Sequence, residues 1–195
     1  MNPRPTKKEM VFHKIGTNKM DKETMNNKIL IAYASKYGAT AEIAQKIGGE
    51  LQASGFEVET IPANKVKDVS QYQSVILGVA LYMGQWRKEA VQFLKTHQGS
   101  LSKQAVWIFT SGPTGEGDPV EQVQGRLMPE NLKAVMDVIG PEEVTVFGGK
   151  ADPEKMNGFE KWIMKKVKAP SGDFRNWQAI STWTGKVSDS IRANA

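Results

Sequence analysis

The sequence contains no cysteine and only two histidines among its 195 residues. The first absence excludes disulfides, thiolate metal ligands and cysteine nucleophiles, and the second leaves little for a metal cage. No metal site is expected, and any redox chemistry must be carried by a cofactor, because the side chains cannot supply it. Long apolar runs are missing too. The longest, such as VILGVALYM from Val75 to Met83, stops well short of the roughly 18 to 20 residues that span a bilayer. The opening 27 residues hold no continuous apolar segment, so no secretory signal is expected. Together with the lack of cysteine, this fits a cytoplasmic setting. Charge of one sign is scarce outside that opening. Residues 1–27 carry six Lys/Arg against three Asp/Glu, and the remaining 168 carry 20 against 18. A body so close to neutral argues against a nucleic-acid-binding face.

What is present is organised. Residues 1–27 are rich in Pro, Lys, Asn and Thr without a sustained period, and are expected to form a mobile extension. Residues 28–195 are expected to form one domain, since 39% hydrophobic side chains suffice for one well-covered core. KILIAYA has strand length, and Ile43, Ala44, Ile47 and Leu51 follow at helical spacing until SGF closes the unit. FEVETIP alternates as a half-covered strand, and SVILGVA reads as a buried one. Ala90, Val91 and Leu94 share a helical face, QAVWIFT is a fourth strand, and Leu132, Val135, Met136 and Ile139 mark another helix. EVTVFGG is a fifth strand, and amphipathic segments near 153–168 and 173–192 finish the chain. Strands alternating with helices predict a doubly wound parallel α/β sheet covered on both faces.

In such a sheet, ligands sit beyond the carboxyl ends of the strands. That rule singles out the loops 35–40, 81–86 and 111–118. In SKYGAT, Ser35 and Thr40 offer hydroxyls and Gly38 allows close backbone approach. The helix that follows would aim unpaired amides and its positive dipole end at the loop. No G-x-x-x-x-G-K-[ST] and no strand-following G-x-G-x-x-G occurs, which disfavours a triphosphate loop and a classical dinucleotide site. An acidic cluster after the first strand, as a receiver domain would need, is also missing. The simpler reading of SKYGAT is a helix N-cap by Thr40 beside a glycine turn. The other two loops weigh against it. LYMGQWR brings two aromatics and a glycine, and SGPTGEGDP brings three glycines and several hydrogen-bonding groups. A phosphate cradle beside a slot for a flat heterocycle describes flavin mononucleotide, FMN.

Strand, SKYGAT, helix, then VILGVALYMGQW, then VWIFTSGP resembles flavodoxin-fold proteins. With FGGKADPEKMNGFEKWIMKKVKAPSGDFRNWQAI, the resemblance extends over roughly 28–192 and is nearest to the branch that includes the menaquinone-dependent protoporphyrinogen oxidases. It implies a flavodoxin-like, five-stranded parallel sheet of order 2-1-3-4-5 and noncovalent FMN. By position it implies that Ser35, Lys36, Tyr37, Gly38, Ala39 and Thr40 hold the phosphate. Tyr82, Met83, Gly84, Gln85 and Trp86 would form one wall at the ring, and Ser111, Gly112, Pro113, Thr114 and Gly115 the opposite rim. Classical flavodoxins favour Thr where this chain has Tyr37. After the fourth strand, where membrane-active members of the oxidase branch carry a longer basic insertion, this chain has a segment of mixed charge.

No side chain stands out as an acid, base or nucleophile, so no catalytic residue is assigned. Glu116 and Asp118 read as solvated loop residues, and His13 and His97 as surface residues. FEKWIMKKVKAP sets four lysines beside Trp162, Ile163, Met164 and Val167. Such a helix can lie weakly on an anionic membrane, but the expected arrangement packs its apolar stripe on the sheet with lysines in solvent. Trp177, Ile180, Trp183, Val187 and Ile191 read as core, with Asp173 as the N-cap before them. Two functions, and one reading without either, stay open. One is an FMN oxidoreductase, protoporphyrinogen-oxidase-like, that hands electrons from a porphyrinogen to a quinone or a redox protein. The other is a flavodoxin-type carrier with no substrate of its own. A scaffold that has kept the fold without the cofactor is a third.

Overall fold

The computed structural model describes residues 27–82, 84–166 and 170–194. The expected mobile extension therefore falls almost entirely outside the described residues, as do His13, Met83, Val167 and Lys168. Five parallel strands form the sheet, in the order β2 (Glu57–Pro62), β1 (Lys28–Ala34), β3 (Ser74–Tyr82), β5 (Ala105–Ser111), β6 (Glu143–Phe147). This is the predicted 2-1-3-4-5 order, counting only the long strands. A two-residue strand, β4 (Gln85–Trp86), turns back antiparallel on the end of β3, pairing Trp86 with Leu81 and Gln85 with Tyr82.

The strand composition explains the order. In β1, Ile29, Leu30, Ile31 and Ala32 are all fully buried, because both faces of a central parallel strand are covered. In β2, no residue is fully buried, as suits an edge. One face of the sheet carries α1 (Ala39–Ala53) and α6 (Trp177–Ala193), with Ile43, Ile47, Ile180 and Val187 packed on Ile29, Ile31 and Ile76. The other face carries α2 (Lys88–Leu101) and α4 (Lys133–Ile139), with Phe93, Leu94 and Met136 packed on Leu30, Val75 and Leu77. Each fully buried Leu or Ile contributes about 1.5–3 kcal/mol relative to exposure, so these two layers position everything above them.

The short helix α3 (Pro119–Gln122), capped by Asp118, lies between β5 and α4. After β6 come a two-stranded ribbon, β7 (Lys150–Ala151) with β8 (Gly172–Asp173), and, between them, the helix α5 (Gly158–Lys166). Three expectations need correction. Asn176, not Asp173, caps α6, its side chain accepting from the Ala179 amide at 3.0 Å, because Asp173 is taken up by Arg175. Trp177, the first residue of α6, is exposed rather than core, with the Arg175 guanidinium 4.5 Å from its ring centre. Trp162 is 54% exposed, because α5 turns a different face inward.

Candidate functional site

The first loop begins where β1 ends. Ser35 Oγ accepts a hydrogen bond from the Gly38 amide at 3.0 Å, closing a tight turn. Gly38 then sits at φ +98°, a left-handed conformation that a glycine adopts without strain. Gly38 occupies the cap position of α1, and no side chain caps the helix there. The first-turn amides of a helix have no intrahelical acceptor, so the positive end of the 15-residue α1 is open to an anion. Thr40 is not the cap. Its hydroxyl lies 2.8 Å from that of Ser111 at the end of β5, a fully buried pair joining the first and third loops.

Glycines let the remaining loops close up. A Cβ on Gly112 would lie 2.4 Å from the Leu81 carbonyl oxygen, and one on Gly149 would lie 2.9 Å from Gly112 Cα. The Gly149 amide donates to Pro113 O at 2.8 Å, and Gly149 O accepts from the Phe174 amide at 2.9 Å. Arg175 ties this layer to α1. Its Nε donates to Asp173 Oδ1 at 2.7 Å and its Nη1 to Glu42 Oε2 at 2.6 Å. Its hydrogen bonds to Asp173 hold the guanidinium pKa above its usual value, against the opposing effect of burial.

A second hub of the site, Glu160, was not among the residues singled out in the sequence. This residue of α5 is 7% exposed. Its carboxylate accepts from Lys36 Nζ and the Tyr37 hydroxyl of the first loop, from the Tyr82 hydroxyl at 2.8 Å, and from the Asn157 amide at 3.0 Å. Asn157 Oδ1 in turn accepts from the Glu160 amide at 2.9 Å, which fixes the start of α5. The Lys36 bond, then those from Tyr37 and Asn157, pull the Glu160 pKa from 4.5 down to about 2. Burial acts to lower the Lys36 pKa, but its bonds to Glu160, Tyr82 and Tyr37 outweigh that, leaving it above the usual lysine value. The Lys36 ammonium also stands 3.6 Å from the centre of the Tyr82 ring, a cation–π contact. Tyr37 and Tyr82 meet edge to face, with ring centres 6.4 Å apart.

A cavity of about 240 Å³, open on one side, lies among these groups. Of the residues singled out in the sequence, Ser35, Lys36, Tyr37, Ala39, Thr40, Tyr82, Ser111, Gly112 and Thr114 line it. Gly38 forms the turn behind it. Gly84 and Pro113 lie instead on a neighbouring depression with Gln122 and Arg126, and Gly115 on a third, beside Phe174. Gln85 is exposed and Trp86 is buried among Phe93, Leu94 and Ala90, so neither lines the cavity. Alongside Glu160, the sequence reading also missed Met156, Ile163 and Met164, which form an apolar wall. The helical period places Ile163 and Met164 in one arc of α5 with Glu160, but does not say that this arc faces inward.

The donor set fits a phosphate monoester attached to a flat ring. Uncapped amides at α1 and the buried Thr40–Ser111 hydroxyl pair sit at one side, and Tyr82, Met156, Ile163 and Met164 at the other. The Glu160 carboxylate is matched by Lys36, so it does not make the cavity anionic. Among the described residues, no three His, Cys, Asp or Glu side chains come together to hold a metal, and no helix is long and apolar enough to cross a membrane.

Sheet order and cavity thus define a doubly wound α/β protein with a cavity beyond the carboxyl ends of its strands. The chain belongs to the flavodoxin-domain family, which it matches over residues 30–177. No curated protein matches the sequence. Among solved structures, it is similar to a flavodoxin from the domain Archaea, at 14% identity and a TM-score of 0.57, covering 85% of this chain and 99% of that one. It is also similar to rubredoxin:oxygen oxidoreductase from Desulfovibrio gigas, at 12% identity and a TM-score of 0.55, over 86% of this chain and 36% of the other. A flavodiiron core from Synechocystis aligns at 12% identity and a TM-score of 0.56, over 96% of this chain and 41% of that one. At these identities the likeness is one of fold.

Proposed function

We propose that the protein binds one FMN noncovalently and works as an oxidoreductase, protoporphyrinogen-oxidase-like, passing electrons to a quinone or a protein acceptor. The observation that carries this reading is the cavity between the uncapped start of α1 and Tyr82, with the Thr40–Ser111 pair at its base. When bound, FMN supplies an isoalloxazine that takes up electrons singly or as hydride. The chain's own residues do the rest. The amides of Ala39 and Thr40, with the hydroxyls of Ser35 and Thr40, hold the phosphate. Lys36 follows Ser35 in the same loop, its charge balanced by Glu160. Tyr82 offers a ring face, and Met156, Ile163 and Met164 exclude water from one side, which strengthens the polar contacts within. No side chain is required to move a proton, which suits chemistry resident in the cofactor.

The family match and the flavodoxin among the similar structures support the cofactor; the branch rests on the late segment from Phe147 to Ile180, which also supplies the wall of α5. A flavodoxin-type carrier remains the competing reading. Against it stands the near-neutral charge of the body, because carriers usually present an acidic face to basic partners. Purification without added flavin, an absorption spectrum and mass spectrometry of the released chromophore test the cofactor. FMN near one per chain is expected; a colourless protein that takes up no added FMN would overturn the reading. Steady-state oxidation of protoporphyrinogen with a quinone then separates the enzyme from a carrier, which would exchange electrons only with a dedicated reductase.

A further inference from the structure

The helix α5 has two faces of opposite character. At about 100° per residue, Glu160, Ile163 and Met164 fall in one arc and line the cavity. Trp162 projects from the opposite arc and Phe159 from the flank between it and Ile163; at 54% and 68% exposed, they are the two most exposed of the large apolar side chains among the described residues. Their rings stack on each other, with centres 6.1 Å apart and planes 20° apart. Lys166 places its ammonium 5.0 Å from the Trp162 ring centre. Lys161 and Lys165, both exposed, lie on the side of Trp162 away from Phe159. Between 154 and 166 there are four lysines and two glutamates, and one of those, Glu160, is buried and paired with Lys36. The outward surface is therefore basic and aromatic.

We propose that this outer face of α5 docks the protein on an anionic lipid bilayer, so that a lipid-soluble electron acceptor reaches the cavity along the inner face of the same helix. The inference rests on the oxidoreductase reading above for its purpose, but not for the contact itself. Charge complementarity identifies the occupant. Lysine stems reach outward to headgroup phosphates while stacked rings enter the acyl boundary, the arrangement of an interfacial helix. An acidic protein would match the lysines, but two projecting rings on a nine-residue helix form no groove for a folded partner. A bilayer accommodates them without a complementary pocket. Because α5 is also a wall of the cavity, a bilayer on its outer face lies one helix away from the site.

The purified full chain is sedimented with phosphatidylcholine vesicles and with vesicles containing about one-third phosphatidylglycerol, and its flavin content is read by absorbance in the same samples. Preferential pelleting with the anionic vesicles, weakening as salt rises, is expected. Phe159→Ser with Trp162→Ser should weaken binding roughly tenfold or more. Lys161→Gln and Lys165→Gln should each weaken it about fivefold. Flavin content should be unchanged in all of them, since none of these side chains lines the cavity. Equal partition to both vesicle types, no pelleting, or binding unaffected by the aromatic substitutions would each overturn the proposal. Anionic-vesicle binding by a protein without flavin would uphold the contact while removing the oxidoreductase reading. An acidic redox protein that protects Phe159 and Trp162 where vesicles do not would likewise overturn it.

Discussion

Tyr82, at the end of β3, donates its hydroxyl to Glu160 of α5 at 2.8 Å across 78 residues of chain. That bond joins the second cavity loop to the element that covers the cavity, and Lys36 and Tyr37 join the first loop to the same carboxylate. One buried anion thus holds three segments in register. Losing it leaves several donors without their acceptor, so Glu160→Gln should destabilise the protein by about 2 kcal/mol at neutral pH. Thermal melts of the two proteins check this.

The same group sets an acid limit. Its pKa is depressed in the folded protein, from 4.5 to about 2. A depressed carboxylate contributes stability that is fully present above its unfolded value and is lost as pH falls through the folded one. Wild-type stability should therefore decline between about pH 4.5 and pH 2 by more than that of Glu160→Gln. Parallel melting curves across this window would show that the carboxylate carries no linkage.

Most of the fold was legible from residue patterns, and the reason is visible in particular strands. KILIAYA, SVILGVA and QAVWIFT are apolar on both faces, so their burial did not depend on knowing their neighbours. The turn at 35–40 was legible for a similar reason: its geometry is local, a glycine turn leading into a helix. Glu160 was not legible, because its partners lie 78 to 124 residues away and a lone glutamate on a lysine-rich helix looks solvated. Trp162 was misplaced for the same reason, since placing the carboxylate inward turns the indole outward. Trp86 looked like a ring wall because it follows a glycine in an aromatic loop. The antiparallel turn of β4 on β3 instead rotates it into the core.

The Thr40–Ser111 pair offers a test of the cradle itself. Thr40→Val keeps the shape but leaves the Ser111 hydroxyl unpartnered in a buried position, at a cost of about 1–2 kcal/mol. Adding Ser111→Ala should recover part of that loss, because no orphan then remains, and the double-mutant cycle gives the coupling. If these hydroxyls also hold the cofactor phosphate, FMN affinity should fall roughly tenfold in the single and further in the double variant. Affinity unchanged in both would assign the pair to packing alone.

Two glycine substitutions separate close approach from mere glycine content. Gly49 lies in the interior of α1, exposed, with nothing within 4 Å of a Cβ built on it. Gly49→Ala should stabilise the protein by about 0.5–1 kcal/mol through helix propensity, a rise of roughly 2–4 °C in melting temperature per kcal/mol for a chain of this size. Gly112→Ala should do the opposite. Its Cβ would fall 2.4 Å from the Leu81 carbonyl oxygen, and because that atom is backbone, β3 and β5 must part at the cavity floor. A cost of about 1–3 kcal/mol is expected. The parting also moves Ser111 away from Thr40, so FMN uptake should fall along with stability. A Gly112→Ala protein that melts and takes up FMN like the parent would mean that the loops have slack, and that their close packing is not what shapes the cavity.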